Sequence, residues 1–173
     1  MTFEEIKNKI ISSFGAEIIL AEQAEQLQAS ICISAEHLQK LCSFLRDEPE
    51  LYFDYLNCLS GVDYGIDKSE LAVVYHLSSI PYKHQLVIKV MIPFDRTSAT
   101  LPSIPSVSSI WRSADWHERE TFDMYGIQFE GHPDMRRILC PDDWEGYPLR
   151  KDYEPAELYN GLKIKFDRDT THD

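Results

Sequence analysis

The residues best suited to chemistry lie in one short segment, DWHERETFDMYG, residues 115–126. His117, Glu118 and Glu120 are residue types that act as acids, bases or metal ligands. On a helix, however, the side chains of Glu118 and Glu120 point about 200° apart, so the two carboxylates cannot face one substrate. His117 and Glu118 match the start of the zinc motif H-E-x-x-H, but residue 121 is threonine where the second histidine is needed. The segment therefore predicts neither a catalytic carboxylate pair nor a metal centre.

Glu118 is better explained as a structural residue. One face of the predicted helix is largely aromatic and spans an arc of about 80°; it consists of Trp111, Ala114, Glu118, Phe122 and Tyr125. Asp115 and Arg119 are spaced to pair at positions i and i+4. A carboxylate on an aromatic face needs a cation from another segment, and we expect Arg136 or Arg137 to supply it for Glu118. The pattern thus favours a structural role, in which Glu118 holds the helix against another segment of the chain.

The other residues that could bind a cofactor lack the spacing that such sites require. The four cysteines include no C-x-x-C pair, which argues against zinc ribbons and iron–sulfur clusters and predicts buried free thiols. The glycines are isolated, which argues against a phosphate-binding loop. His132 precedes a proline in a predicted turn, where a histidine most often hydrogen-bonds the backbone. We expect no cofactor in this chain.

The composition narrows the class of protein. With 173 residues, of which 43% are hydrophobic, the chain can form one domain of ordinary size. Its net charge of −12 argues against nucleic-acid binding, and the basic doublets at 136–137 and 150–151 are interleaved with acids that predict ion pairs. No apolar run approaches the roughly 20 residues that cross a bilayer. The N-terminal segment is acidic and amphipathic, so we do not expect export.

Periodicity predicts an α+β fold. Thr2 and Glu5 form a capping box for a first helix that ends at Gly15, and Ser34 is a suitable N-cap for a second helix. In chain order the predicted elements are a helix at 3–14, strands at 16–20 and 30–34, a helix at 34–47, and strands at 52–65, 71–79 and 84–94. This order, α-β-β-α-β-β-β, predicts a two-layer domain with helices packed on one face of a mixed sheet.

The chain divides into three predicted parts. Residues 1–105 form the two-layer domain, with residues 93–105 as a proline-rich linker at its end. Residues 106–126 form a further helix, which contains the segment DWHERETFDMYG and for which a break near residues 112–113 is one alternative. Residues 127–173 are rich in proline and aromatic residues and predict an extended arm. Such an arm lies either on a partner or back over its own sheet, and composition favours neither.

The sequence of the helix and the arm resembles a known family signature. The run ERETFDMYGIQFEGHPDMRRIL, residues 118–139, combines Glu-Arg-Glu with Asp123, His132 and Arg136 at the family's spacing. The segments SVSSIWRSADW before it and PDDWEGYPLRKDYEP after it continue the match. The pattern resembles that of the 30 kDa subunit of respiratory complex I. In bacteria this complex is called the NADH-quinone oxidoreductase. Arg112 departs from the pattern, since relatives often have proline after the tryptophan.

The resemblance implies a small α/β domain followed by an extended arm. It implies a cofactor-free subunit of the proton-translocating NADH:quinone oxidoreductase, docked on the 49 kDa subunit that shapes the quinone pocket. FMN, the iron–sulfur clusters and quinone would be bound by other subunits, and the complex would place the chain on the cytoplasmic side of the bacterial inner membrane. The signature residues, with a structural and partner-docking role, are Glu118, Arg119, Glu120, Asp123, Gly126, His132, Arg136, Arg137, Arg150 and Asp152.

Two alternatives stay open. The same scaffold occurs in membrane-bound hydrogenases and in complexes fed by ferredoxin, and no residue of this chain reveals the electron donor. The second alternative is a protein outside the respiratory complexes, either a free-standing acidic adaptor or a small metal-dependent enzyme. Stoichiometric metal in the purified protein would favour the enzyme.

Overall fold

The computed structural model describes residues 1–25 and 27–164, which contain three α-helices and nine β-strands. In chain order these are α1 (Phe3–Phe14), β1 (Ala21–Gln23), β2 (Ser30–Ile33), α2 (Leu38–Asp47), β3 (Tyr55–Asp63), β4 (Glu70–Ser79), β5 (His84–Pro93), β6 (Ser103–Pro105), α3 (Ala114–Tyr125), β7 (Gln128–Glu130), β8 (Leu158–Tyr159) and β9 (Leu162–Lys163). Within this part of the chain, no helix is both long and apolar enough to cross a bilayer. Residues 165–173 of the predicted arm lie outside the described residues.

Strands β1 to β5 form one sheet in the order β1-β2-β5-β4-β3. β2 pairs with β5 in parallel, and the other neighbours pair antiparallel, so the sheet is mixed. Along β5, Leu86, Ile88 and Val90 are buried in the core while Gln85 is exposed, which is the alternation expected of a strand with one covered face. The predicted α+β class and the order α-β-β-α-β-β-β are confirmed.

Helix α1 forms where local signals place it. The Thr2 hydroxyl accepts the N–H of Glu5 at 3.3 Å, and the Glu5 carboxylate accepts the N–H of Thr2 at 2.7 Å. Gly15, with φ of 91°, ends the helix. Ile6 and Ile10 on its inner side are fully buried in the same core as the inward residues of α2 and the sheet.

Two boundaries near the N-terminus differ from the predictions. Residues 16–20 do not form the predicted strand, because Ala16–Ile18 form a short 3-10 turn and the first strand begins at Ala21. Ile18 is buried in the core, whereas Leu20 is 63% exposed and bonds to the sheet through its N–H, which the carbonyl oxygen of Cys32 accepts at 2.8 Å. α2 begins at Leu38, after another 3-10 turn. An apolar run of this length fits a buried turn as well as a strand.

The segment from 93 to 126 contains more than a linker and one helix. β6 pairs in parallel with β7, which belongs to the predicted arm. Ile104 and Phe129 from these two strands are buried, so the core continues into the arm. The predicted helix begins only at Ala114, after a separate turn whose amides bond to the carbonyl of Val107. The division of the chain into domain, helix and arm stays a prediction.

Side-chain hydrogen bonds fix the start of α3 on the domain. They run from Gln39 Nε2 to Ser106 O at 2.8 Å, from Trp111 Nε1 to Phe53 O at 2.9 Å and from Ser113 Oγ to Leu56 O at 3.2 Å. Further along, Gly61 of β3 lies directly under Tyr125, whose ring would collide with a Cβ at residue 61. α3 is therefore held against the sheet at both ends.

Candidate functional site

The charged side chains of α3 lie in different surroundings. Glu118 points into the domain and is 0% exposed. Arg119 and Asp123 are buried and bond with residues 136–140 of the arm. Glu120 is exposed to solvent. Of these four signature residues, Glu120 alone takes no part in the buried contacts.

Glu118 is a buried carboxyl group with neutral partners. Its Oε1 accepts the N–H of Val107 at 2.7 Å, and its Oε2 bonds with the hydroxyl of Ser106 at 2.6 Å. Among the described residues no arginine or lysine forms an ion pair with Glu118, so the expected pairing with Arg136 or Arg137 is wrong. Burial raises the pKa of Glu118 to about 7, although the two hydrogen bonds act in the opposite direction. The group therefore titrates near neutral pH.

His132 lies next to Glu118 at the start of the arm, and its side chain is fully buried. Its Nε2 lies 3.1 Å from the carbonyl oxygen of Asp115, and its Nδ1 accepts the N–H of Asp134 at 3.0 Å. These two bonds fit the neutral ring with its proton on Nε2. The expected pair between Asp115 and Arg119 is absent from the ion pairs of the described residues, and the Asp115 carboxylate instead faces His132 at 3.5 Å.

Asp123 accepts hydrogen bonds from several backbone amides of the arm. One oxygen, Oδ2, accepts the N–H groups of Ile138, Leu139 and Cys140 at 2.7 to 3.0 Å. The other oxygen accepts Arg137 Nη1 at 2.6 Å. Burial alone would raise the pKa of Asp123, but these four donors together hold the pKa below its usual value. Asp123 is therefore a buried, ionised and fully bonded carboxylate.

Arg119 and Arg137 satisfy carbonyl groups around the same contact. Arg119 donates to the carbonyl oxygens of Arg136 and Arg137 at 3.3 and 3.2 Å. Arg137 reaches onward to the carbonyl oxygen of Gly146 at 2.9 Å. The side chain of Arg136 is exposed and pairs with Asp134, so Arg136 contributes to the buried contact only through its backbone. The arm is thus bonded through both its amides and its carbonyls.

A second buried carboxylate, Asp63 at the end of β3, holds the arm further along. Asp63 pairs with Arg96 at 2.6 Å and accepts the N–H of Lys151 at 2.9 Å. Arg96 also pairs with Asp152 at 2.8 Å. Burial acts to raise the pKa of Asp63, but its bonds with Arg96, Lys151 and Gly65 lower the pKa overall. This ion-pair chain ties the sheet, the segment after β5 and the arm together.

Arg150 fills the space between the two carboxylate contacts. Its guanidinium lies 4.5 Å from the ring centre of Phe94 and 4.3 Å from that of Tyr147, a double cation–π contact. Gly126, with φ of 68°, ends α3 beneath it. A Cβ at Gly126 would collide with Arg150 and Tyr147, which explains the glycine at this position. Arg150 Nε donates to the carbonyl oxygen of Tyr125 at 2.6 Å.

We call this set of contacts the arm lock; it consists of Asp63, Arg96, Arg119, Asp123, Arg137, Arg150 and Asp152. Six of the ten signature residues belong to the arm lock or contact it, namely Arg119, Asp123, Gly126, Arg137, Arg150 and Asp152. Glu118 and His132 form a separate contact, and Glu120 and the side chain of Arg136 are exposed. Sequence reasoning missed Asp63, Arg96 and Ser106. The one available signal was Asp63, an isolated acidic residue at the end of a predicted strand. Such a signal does not indicate which residue the acid binds.

In the described part of the arm, residues 127–164, the aromatic residues pack within the chain, whereas the leucines face solvent. Trp144 lies 5.1 Å from the ring of Tyr159 and donates Nε1 to the hydroxyl of Tyr153 at 3.1 Å. Four leucines of the arm are 50% to 71% exposed, namely Leu139, Leu149, Leu158 and Leu162. The apolar surface that the arm presents is therefore aliphatic.

The described residues offer little for metal or thiol chemistry. Within residues 1–25 and 27–164, no cluster of three or more His, Cys, Asp or Glu could hold a metal ion. All four cysteines are free, but only Cys42 is buried, so the expectation of buried thiols is correct for one residue. Burial raises the pKa of the Cys42 thiol and keeps it protonated. The chemistry of this region is the immobilisation of a polypeptide segment by charged hydrogen bonds.

The sequence that forms this helix and arm matches a known protein family. The sequence model of the family described as "Respiratory-chain NADH dehydrogenase, 30 Kd subunit" matches residues 31–159, which include α3 and the arm lock. The chain belongs to this family. The resemblance seen in the signature segment is thereby confirmed over most of the chain.

Individual relatives in the 30 kDa family agree. A protein from Chloroherpeton thalassium, named as a subunit of NADH-quinone oxidoreductase, is 56% identical over 129 residues, which cover 74% of this chain and 51% of that protein. The chain thus spans about half the length of that relative. A protein of the same name from Chlorobium phaeobacteroides is 43% identical over 154 residues, covering 88% of this chain and 89% of the relative.

A solved structure has the same fold. It is a chain in the structure of the membrane-bound sulfane sulfur reductase, an archaeal respiratory membrane complex, with a TM-score of 0.68 and 28% identity. The match covers 87% of this chain and 85% of that chain. The fold of this 30 kDa-family chain therefore occurs in more than one kind of respiratory membrane complex.

We expect the substitution Asp123→Asn to loosen the arm. Asparagine places an N–H₂ group against either the backbone amides or Arg137 and leaves the largely buried guanidinium of Arg137 without its counter-charge, which costs about 3 kcal/mol of unfolding free energy. Hydrogen exchange should show loss of protection at the amides of residues 138–140. The matched control is Asp134→Asn, which alters an exposed pair and should change neither measurement. Unchanged protection in the Asp123 variant would show that Asp123 does not hold this part of the arm.

We expect Glu118→Ala to destabilise the chain more than Glu120→Ala at pH 6. The Glu118 change leaves the buried N–H of Val107 without an acceptor, which costs about 1–3 kcal/mol of unfolding free energy. Glu120 is exposed, so its truncation should have no measurable effect. Urea unfolding of both variants measures the difference, and equal midpoints would show that Glu118 does not support the segment at 106–108.

Proposed function

We propose that the chain is a cofactor-free scaffold subunit of the NADH:quinone oxidoreductase and that its arm docks on the subunit that shapes the quinone pocket. Its membership of the 30 kDa family and the names of its relatives support this proposal. Electrons would pass from NADH through FMN and iron–sulfur centres held by other subunits to quinone. This chain contributes to that proton-translocating reaction by holding the quinone-pocket subunit in place.

The observation that carries the docking proposal is the exposed aliphatic surface of the arm. Of the six exposed leucines in the described chain, four lie between residues 139 and 162. Solvent-facing leucines concentrated on one segment are typical of a protein–protein contact. The arm lock fixes the first part of this segment, so less conformational entropy is lost when a partner binds.

Charge indicates the nature of the partner surface. The arm exposes Asp142, Asp143, Glu145 and Glu157 among its leucines, and the whole chain carries a net charge of −12. A partner surface with basic residues around an apolar groove would be complementary to this pattern. Within the complex, the chain would lie on the cytoplasmic side of the bacterial inner membrane and would reach the membrane only through its partners.

The same scaffold in a different electron-transfer complex is the second candidate function. The likeness to a chain of the archaeal sulfane sulfur reductase complex favours it, because that complex is named for a different reaction. Complexes purified from native membranes with this chain would distinguish the two candidates. Reduction of the purified complex by NADH supports the first, and reduction only by ferredoxin or hydrogen supports the second.

We expect the purified chain to be colourless. The sequence contains no four-cysteine spacing or phosphate loop that would hold a cluster or flavin. An absorption spectrum after gel filtration measures this directly. A band between about 400 and 460 nm that stays with the protein would contradict the scaffold role.

We expect the double substitution Leu158→Asp, Leu162→Asp to prevent docking without unfolding the chain. Both side chains are exposed, at 62% and 71%, so the folded chain loses little packing. In cells, co-purification with the quinone-pocket subunit and NADH:quinone activity of the membranes should fall at least about tenfold, as expected for charges placed in an apolar contact. NADH oxidation with an artificial acceptor should persist wherever the NADH-binding module still assembles.

The matched control for docking is Leu20→Asp. Leu20 is 63% exposed but lies outside the arm, so this variant should assemble and reduce quinone like the wild type. Full quinone activity in the double variant would assign docking to another surface. Loss of activity in both variants would point to a general effect of added charge.

A further inference from the structure

The buried carboxyl group of Glu118 is surrounded by titratable groups from four segments. Asp115 lies one turn earlier on α3, His132 belongs to the arm, Cys42 belongs to α2 and Tyr75 belongs to β4. None of these supplies a permanent positive charge. Among the described residues, Glu118 has no arginine or lysine as an ion-pair partner. A proton is therefore the simplest cation that can neutralise this carboxylate.

We infer that Glu118 is a reversible proton-binding site that controls the turn at residues 132–134, where the arm begins. With the proton bound, the turn has the arrangement described above. When the proton leaves, the buried charge draws the ring of His132 towards itself and the turn shifts. The site is a property of the chain itself and does not depend on which complex the chain joins.

The hydrogen bonds around Glu118 accommodate either protonation state. Ser106 Oγ lies 2.6 Å from Glu118 Oε2 and 2.8 Å from Ser108 Oγ, and it accepts the N–H of Ser108 at 3.1 Å. A protonated Glu118 donates to Ser106, which donates its own proton to Ser108. An ionised Glu118 accepts from Ser106 instead. Ser108 is partly exposed, so the two hydroxyls connect the buried carboxyl group to water.

His132 can report the change because its two bonds are backbone bonds. Its Nε2–H points to the carbonyl oxygen of Asp115 at 3.1 Å, while Glu118 Oε2 lies 4.0 Å from the same nitrogen. A carboxylate is a stronger acceptor than a carbonyl oxygen, so ionisation of Glu118 favours movement of Nε2–H from Asp115 to Glu118. The ring then moves with respect to the N–H of Asp134, which Nδ1 accepts at 3.0 Å.

The proton affinity of the site lies in the physiological range. Burial raises the pKa of Glu118 from 4.5 to about 7, and the neighbouring Asp115 acts in the same direction. Because the pKa in the folded chain is above its unfolded value, the stabilising contribution is complete below pH 4.5 and is lost as pH rises through about 7. In mildly acidic solution, the turn at residues 132–134 should therefore keep the bond from His132 Nε2 to the carbonyl oxygen of Asp115. In mildly alkaline solution, His132 should move towards Glu118.

The test compares the full-length wild type with Glu118→Gln and with the exposed control Glu120→Gln between pH 5 and pH 8. Carbon NMR of the glutamate side chains gives the pKa of Glu118, and the amide shift of Asp134 reports the turn. In the wild type, both should change with one midpoint near pH 7. Glu118→Gln, a neutral mimic, should abolish the amide transition, and Glu120→Gln should retain it.

Stability provides an independent measurement. Relative to Glu118→Gln, the unfolding equilibrium constant of the wild type should rise about 70-fold from pH 5 to pH 8, as expected for a pKa that changes from 4.5 to about 7. Comparison with the variant cancels the contributions of titratable groups that do not contact Glu118. A Glu118 pKa near 4.5, or an unchanged Asp134 transition in Glu118→Gln, would overturn the inference. Should Glu118→Gln fail to fold, the two NMR titrations of the wild type still decide the question.

Discussion

The irregular stretch of the arm at residues 138–140 is positioned by one buried carboxylate, Asp123. Residues 138–140 lie outside the helices and strands, so their amides need acceptors from elsewhere, and Asp123 accepts all three of them. Arg137 balances the charge of Asp123, which makes its burial tolerable. Arg119 donates to the carbonyl oxygens of the two residues just before this stretch, Arg136 and Arg137. A segment with little regular structure is thereby fixed to α3 through its backbone amides.

Two carboxyl groups on α3 show how their surroundings determine the pKa of a buried acid. Glu118 and Asp123 are both fully buried, yet the pKa of Glu118 is raised and that of Asp123 is lowered. Asp123 has three amides and a guanidinium, whereas Glu118 has one amide and a hydroxyl. Neither group is exposed to solvent, but Glu118 lies deeper in the protein, so the depth of burial and the number and charge of the donors together determine the difference.

Local signals predicted the elements, and long-range contacts determined the partners. The capping box of Thr2 and Glu5 and the alternation along β5 lie within a few residues and were read correctly from sequence. The helical phase of α3 correctly predicted that Glu118 is buried, but it could not identify Ser106 as its neighbour. Arg137 reaches Asp123 instead of Glu118, and both carboxylates were equally plausible because periodicity describes a face and not the residue opposite.

The order of the contacts along the chain gives the arm lock a consequence for biosynthesis. Asp63 and Asp123 precede the arm residues that they bind by 14 to 88 positions. Because the ribosome releases the N-terminal part first, the sheet and α3 can fold before the arm emerges. The arm then closes on acceptors that already exist, and a chain with a misfolded sheet has no site for Lys151 and Asp152. The leucines of the arm are therefore held in a fixed arrangement only after the domain has folded correctly.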